Sequence, residues 1–190
     1  ILGLGGALLH VWNHSLFKSL MFLLAGAVIH AADTRVIDRL GGLAKRMPRS
    51  AVLFAIGAVA ICALPPLNGF VSEWLLYIGL FRTLTPGNAS AMPAAAMATV
   101  GLAMIGALAV ACFVKLFGAV FLGAPRSDAP QHAHDPHASM MLPMVALAAG
   151  CVGLGVLPTL AVPLLERATA TWAAWPNAAP ESILALAPLA

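Results

Sequence analysis

Charge is what this sequence has least of. Asp, Glu, Lys and Arg together make up 9% of its 190 residues, against roughly 25% in ordinary soluble domains. A water-soluble fold of this size could not cover its surface with so few ions, which excludes a soluble enzyme domain. Disorder is excluded by the opposite quantity: 61% of the residues are hydrophobic and mean hydropathy is +0.94, far above what a chain that fails to collapse carries. Cysteine is scarce and unpatterned. Cys62, Cys112 and Cys151 each sit in an apolar run, so they make neither a disulfide framework nor a zinc site. They read as small buried hydrophobes. No basic run is interleaved with aromatics, so a net charge of +3 and a pI near 9.1 do not point to nucleic acid. There is no Gly-rich phosphate loop, no Ser/His/Asp set and no cysteine pattern for haem or iron–sulfur. The chain therefore has no redox chemistry of its own. What remains is an integral membrane protein.

What is present is apolar length. A spanning helix needs about 20 apolar residues to cross a hydrocarbon core of about 30 Å. Four stretches qualify: 1–32, 50–82, 94–123 and 140–165. A fifth, after Glu181, is roughly half a span and reads as a tail or interfacial piece. The connections carry helix-breaking chemistry: Gly41-Gly42 and Pro48 in the first, Pro86-Gly87-Asn88 in the second, three prolines in the third. The expected fold is an all-α polytopic transmembrane helix bundle with one discontinuous helix. The chain opens on Ile1-Leu2-Gly3 inside an apolar run, with no charged leader and no cleavage site. It is expected to be the C-terminal part of one longer membrane domain.

Arg35, Arg39, Lys45, Arg46 and Arg49 crowd the first loop, and Arg126 lies in the third. The positive-inside rule makes loops 32–50 and 124–139 cytoplasmic, with the cell inner (plasma) membrane as the location. Trp172 and Trp175 then fall near the opposite interface. The loop histidines His132, His134 and His137 fit no standard zinc spacing and read as solvated.

The second stretch is interrupted by Leu64-Pro65-Pro66-Leu67-Asn68-Gly69. Adjacent prolines remove two amide donors and clash with the preceding turn. Broken backbone at membrane depth survives only when buried in protein or lining a wet cavity. Pro65, Pro66 and Gly69 thus mark an unwound joint between half-helices at about 51–64 and 70–82. A simple kink or a re-entrant hairpin is the alternative.

Ionisable side chains are few enough to weigh singly. His10, His14 and Lys18 recur every four residues, on one helix face, about 6 Å apart along the axis. Such groups are costly in hydrocarbon and normally face a bundle interior or water. Histidine titrates near neutrality and passes protons between its two nitrogens, so the stripe suits a proton relay. Placement at the membrane surface is the competing reading. His30, next to the charged loop, reads as interfacial. Glu73 lies four residues past Gly69 among apolar and aromatic neighbours, and Arg82 is nine residues away. A carboxyl there must be neutral, solvated or paired with another helix: a proton-exchanging group beside the break, or half of a structural ion pair. Lys115 lies eight residues, about 12 Å, inside the end of the third stretch. A relay lysine and a snorkelling anchor fit it equally.

The run His10-Val11-Trp12-Asn13-His14-Ser15-Leu16-Phe17-Lys18 resembles the His-x3-His-x3-Lys helix of antiporter-like proton-channel subunits of NADH-quinone oxidoreductase and membrane-bound hydrogenases. Gly26 to Ala31 and Asp38-Arg39-Leu40-Gly41-Gly42-Leu43 extend the likeness. Ala63 to Glu73 resembles that family's discontinuous helix, in which a Lys or Glu at the place of Glu73 is central to proton transfer. Phe113-Val114-Lys115-Leu116-Phe117-Gly118 and Phe121 to Arg126 are similar to the hydrogenase-4 and formate hydrogenlyase branch. The resemblance implies proton translocation coupled to electron transfer in other subunits, with His10, His14, Lys18, Glu73 and Lys115 as proton-transfer residues. It implies no cofactor in this chain and iron–sulfur and metal centres in hydrophilic partner subunits. A multisubunit cation/proton antiporter would share every motif up to Arg82, and a non-conducting membrane anchor is the third possibility.

Overall fold

The computed structural model describes residues 2–84 and 90–172. Among these residues six α-helices run in order: α1 Leu2–Ala32, α2 Pro48–Ile61, α3 Asn68–Thr83, α4 Met92–Phe121, α5 Ala138–Val156 and α6 Val162–Trp172. Short 3-10 turns fill the connections, and no strand occurs among the described residues. In a medium without water every backbone amide must be satisfied within its own segment, which a helix does. α1, α4 and α5 are long and apolar enough to cross a membrane. α2 and α3 have 14 and 16 residues, about 21 and 24 Å of helix, and neither alone spans a 30 Å core.

α1 is the central post. It packs against α3, α2 and α5. One core, around Leu20, Leu24, Leu43, Phe54, Phe121 and Met144, lies at the end that holds the basic loop. A second, around Leu2, Leu9, Val71, Leu75 and Leu165, lies at the other end. Between them Phe17, Ala60, Leu67 and Cys151 form a small cluster at the joint of α2 and α3.

The first and third loops fold onto each other at one end of the bundle. Gly42, at φ +66, donates its amide to the Leu122 carbonyl at 2.9 Å. Arg126 donates to the carbonyls of Asp38 and Ile37 at 3.2 and 3.1 Å, and Ser127 to that of Arg39 at 2.7 Å. Asp135 accepts from the amides of Arg49 and Ser50 and from the Ser50 hydroxyl, at 3.1, 3.0 and 2.8 Å. A carboxylate from a distant loop thus closes the N-terminus of α2, where free amides and the helix dipole favour an anion.

Three expectations are altered. The helix expected over 140–165 leaves its course at Leu157, because Pro158 lacks an amide and pushes the residue before it off helical geometry (φ −123, ψ 65). The chain turns through Pro158–Ala161 and restarts as α6. Asn68 and Gly69, expected in the unwound joint, already belong to α3. Cys62 and Cys151 are buried, but Cys112 is exposed on α4, whose apolar face carries Met97, Met104, Ile105 and Leu108 outward. An exposed apolar stripe of this size is what a membrane or a neighbouring protein covers. Trp172 closes α6, while Trp175 and the stretch after Glu181 lie outside the described residues.

Candidate functional site

The joint between α2 and α3 holds non-helical backbone against α1 and α5. α2 ends at Ile61, and Cys62 to Leu67 turn the chain, with the Leu64 amide bonded to the Val59 carbonyl and the Leu67 amide to the Leu64 carbonyl. The Pro65-Pro66 peptide is cis. Close approach fixes the turn from both sides. A Cβ on Gly69 would collide with the Ala60 carbonyl oxygen, and one on Gly155 of α5 with the Pro66 carbonyl oxygen. Only glycine lets α3 start so near the end of α2, and lets α5 cross so near the turn.

Polar side chains gather where α1 passes this joint. Asn13 is 1% exposed, and Asn68 and Ser72 are fully buried. The Asn13 amide donates to the Asn68 carbonyl at 2.7 Å, tying the middle of α1 to the first residue of α3. His10 Nδ1 lies 3.0 Å from Ser72 Oγ. Ser72 is also 3.0 Å from the Gly69 carbonyl and 3.4 Å from that of Asn68. Asn13 Oδ1 and both polar atoms of the Asn68 side chain are buried without an ordinary hydrogen bond among the described residues, the Cys151 thiol being the polar group next to Asn68.

His10 is half-buried and His14 exposed, with ring centroids 6.2 Å apart; His14 also meets Phe17 edge-on at 5.3 Å. Lys18, one turn further, sets its ammonium 5.9 Å from the Phe22 ring centre. The stripe therefore begins at the polar joint and runs along α1 toward the loop end. Glu73 follows Ser72 on α3, half-buried, and its carboxylate makes no hydrogen bond or ion pair among the described residues. Its electrostatic neighbours are Cys62 at the end of α2 and Tyr77 one turn along α3. His10 thus meets Ser72, the residue that precedes Glu73, and no hydrogen bond joins His10 to Glu73 itself among the described residues. Lys115 is exposed on α4 and is not part of this cluster. His30 is exposed in the last turn of α1. No group of three or more His, Cys, Asp or Glu that could hold a metal occurs among the described residues.

Asn13, Asn68 and Ser72 are the site residues that motif reading passes over. Their signal in the sequence is faint but physical. Each is a polar residue in an apolar helix, one placed three residues after His10 and the other two within four residues of each other at the start of α3.

Residues 1–97 match the family model described as NADH:quinone oxidoreductase/Mrp antiporter, transmembrane. The chain belongs to this family. Over 188 residues it is 42% identical to hydrogenase-4 component B of Escherichia coli, covering 99% of this chain and 28% of that protein. Over 167 residues it is 44% identical to formate hydrogenlyase subunit 3 of the same organism, covering 88% and 28%. The chain therefore spans little more than a quarter of the length of these relatives. The solved structure of an archaeal respiratory membrane complex, the membrane-bound sulfane sulfur reductase, superposes with a TM-score of 0.69 at 26% identity, over 83% of this chain and 24% of that one. An all-α membrane bundle of antiporter-like type follows from the family, from the superposition and from the three spanning helices.

Proposed function

We propose that this segment conducts protons within the membrane arm of a redox-driven complex of the hydrogenase-4 or formate hydrogenlyase type. The observation that carries the reading is the hydrogen bond between His10 and Ser72, the residue before Glu73, at the foot of a broken helix. It joins an imidazole stripe on one helix to the residue preceding a membrane-embedded carboxyl on another. Imidazole, hydroxyl and carboxyl groups can each both accept and release a proton, and the turn at 62–67 offers backbone groups that can hold water. Protons would pass between Lys18, His14 and His10 and, through Ser72, Glu73. Lys115 would serve a separate exit or an anchoring role. Moving one charge against 100 mV costs about 2.3 kcal/mol, and a change in acidity of about two pKa units at one group supplies it.

The driving redox chemistry would sit in hydrophilic partner subunits bearing iron–sulfur and metal centres, with other membrane subunits alongside. Residence in the inner membrane, with loops 32–50 and 124–139 cytoplasmic, accords with the arginines of the first loop. The test is proton uptake by vesicles holding the full-length protein in its complex, with Glu73→Gln as the variant. Uptake that survives in Glu73→Gln with redox turnover unchanged would leave a non-conducting anchor.

A second reading stays in view because the matching family model also covers Mrp antiporters. A cation/proton antiporter would use the same residues without a redox partner. Transport that needs sodium or potassium and proceeds without electron transfer would select it.

A further inference from the structure

The N-terminal turns of α2 and α5 leave an open groove of about 400 Å³ between them, lined by Pro48, Arg49, Val52, Leu53, Met141 and Val145. It lies away from the polar joint, at the end of the bundle that carries the folded basic loop. Five of its six lining residues are uncharged and apolar, and Arg49 lines it through non-polar atoms. Val52 and Val145 are 61% and 46% exposed, which in water would be an unfavourable apolar cleft. Pro48 to Leu53 spans about 7.5 Å of helix, so the groove runs from the start of α2 along its first turns.

The exposed side chains that lead into the α2 wall of the groove are cationic. Lys45 and Arg46 are exposed on the turn that leads into α2, and Arg49 is exposed in its first turn. Asp135, at the same helix start, is occupied by the Arg49 and Ser50 amides and the Ser50 hydroxyl. It closes the helix N-terminus through backbone amides and the Ser50 hydroxyl, not through the guanidinium of Arg49. Arginine presents a planar fork of donors that matches phosphate oxygens. A basic rim over an apolar slot between two membrane helices has the form of an anionic lipid site.

We propose that this groove binds an anionic phospholipid, its phosphate held by Arg49 with Lys45 and Arg46 nearby, and one acyl chain lying over Val52, Leu53, Met141 and Val145. A free phosphate would use the rim and leave the slot unexplained. A zwitterionic lipid would fill the slot and gain little from three cations. The inference needs only the membrane setting and stands whether or not the segment conducts protons.

The test uses the full-length protein in its complex, reconstituted in nanodiscs with a phosphatidylglycerol that carries a photoactivatable group in its acyl chain. Crosslinks are mapped by mass spectrometry. They are expected on peptides containing Val52, Met141 or Val145, and unlabelled phosphatidylglycerol should compete about fivefold better than phosphatidylcholine, as one favourable arginine contact implies. Arg49→Gln should abolish that preference. Val52→Trp, which fills the slot, should remove the crosslinks, and Arg35→Gln, an exposed arginine outside the groove, should change neither. Equal competition by the two lipids, an unchanged preference in Arg49→Gln, or crosslinks that persist in Val52→Trp would each overturn the proposal. So would a protein segment seated in the groove in a structure of the whole complex.

Discussion

His10 and Ser72 share a hydrogen bond of 3.0 Å between helices that are 62 residues apart in sequence. The serine hydroxyl has one hydrogen and two carbonyls, those of Gly69 and Asn68, also within reach. When that hydrogen points to Gly69, His10 must donate from Nδ1. When it points to His10, Nδ1 must be bare. The pair therefore has two proton arrangements that differ by a hydroxyl rotation and a histidine proton, which is what a relay step between α1 and α3 requires.

Ser72→Ala should weaken this link without dismantling the fold. The loss of one partly buried hydrogen bond costs about 1 kcal/mol. Proton uptake by the complex should fall about fivefold if the free-energy change appears in the transfer step, and Ser72→Thr should restore most of it. Vesicle acidification rates for the three forms check this.

Glu73→Gln keeps the shape of the side chain and removes its exchangeable charge. Proton uptake should fall on the order of a hundredfold, the usual worth of a positioned acid or base. Glu73→Asp should retain a measurable rate. A vesicle assay with redox turnover followed in parallel separates lost transport from lost assembly.

Asn68 offers a stability test with the opposite sign. Its side chain buries two polar atoms whose nearest polar group is the weakly hydrogen-bonding Cys151 thiol, and an unsatisfied buried polar group costs roughly 1–3 kcal/mol. Asn68→Leu, branched at the same carbon and without polar atoms, should hold the melting temperature of the purified complex, the removal of buried polar atoms offsetting the crowding from its larger methyl groups. Its transport rate should fall, because the joint loses its polar lining. A variant both less stable and unchanged in rate would contradict the role given to the buried amides.

Asp135→Ala should loosen the loop end of the bundle. Three hydrogen bonds to the start of α2 depend on this carboxylate, and loss of a helix cap costs about 0.5–2 kcal/mol. Asp135→Asn should retain part of the stability, since the amide oxygen still accepts. Thermal unfolding followed by circular dichroism in detergent would rank the three proteins.

Gly155→Val places a branched side chain against the Pro66 and Leu67 backbone. Overpacking of this kind costs typically 1–3 kcal/mol, and here it would push α5 off the turn at 62–67. Both thermal stability and transport should drop, while Gly153→Val, which meets nothing within 4 Å, should be tolerated.

Much of the architecture was legible because the membrane makes it so. Long apolar runs can only be helices in lipid, and paired prolines can only interrupt one, so the stretches 1–32 and 94–123 lie close to α1 and α4. The restart after Leu157 was less visible, since hydropathy continues through Pro158 and does not register a change of direction. The site was legible in part. His10, His14, Lys18 and Glu73 are ionisable in an apolar background and stand out for that reason. Asn13, Asn68, Ser72 and Asp135 are neutral or loop residues whose importance lies in partners 55 to 86 positions away, which no local pattern contains.

Composition and spacing by themselves determined that this chain lives in a membrane, that its helices are apolar, that one is broken at Pro65-Pro66, and that imidazoles share a face of the first. Solvent and backbone chemistry impose these along the chain, without reference to neighbours. Only the tertiary structure decided that His10 meets Ser72 rather than Glu73, that Asn13 ties α1 to the start of α3, and that Lys115 stands apart on α4. Those relations depend on how closely helices cross, and crossing distance is set by glycines and buried amides in contact across the bundle.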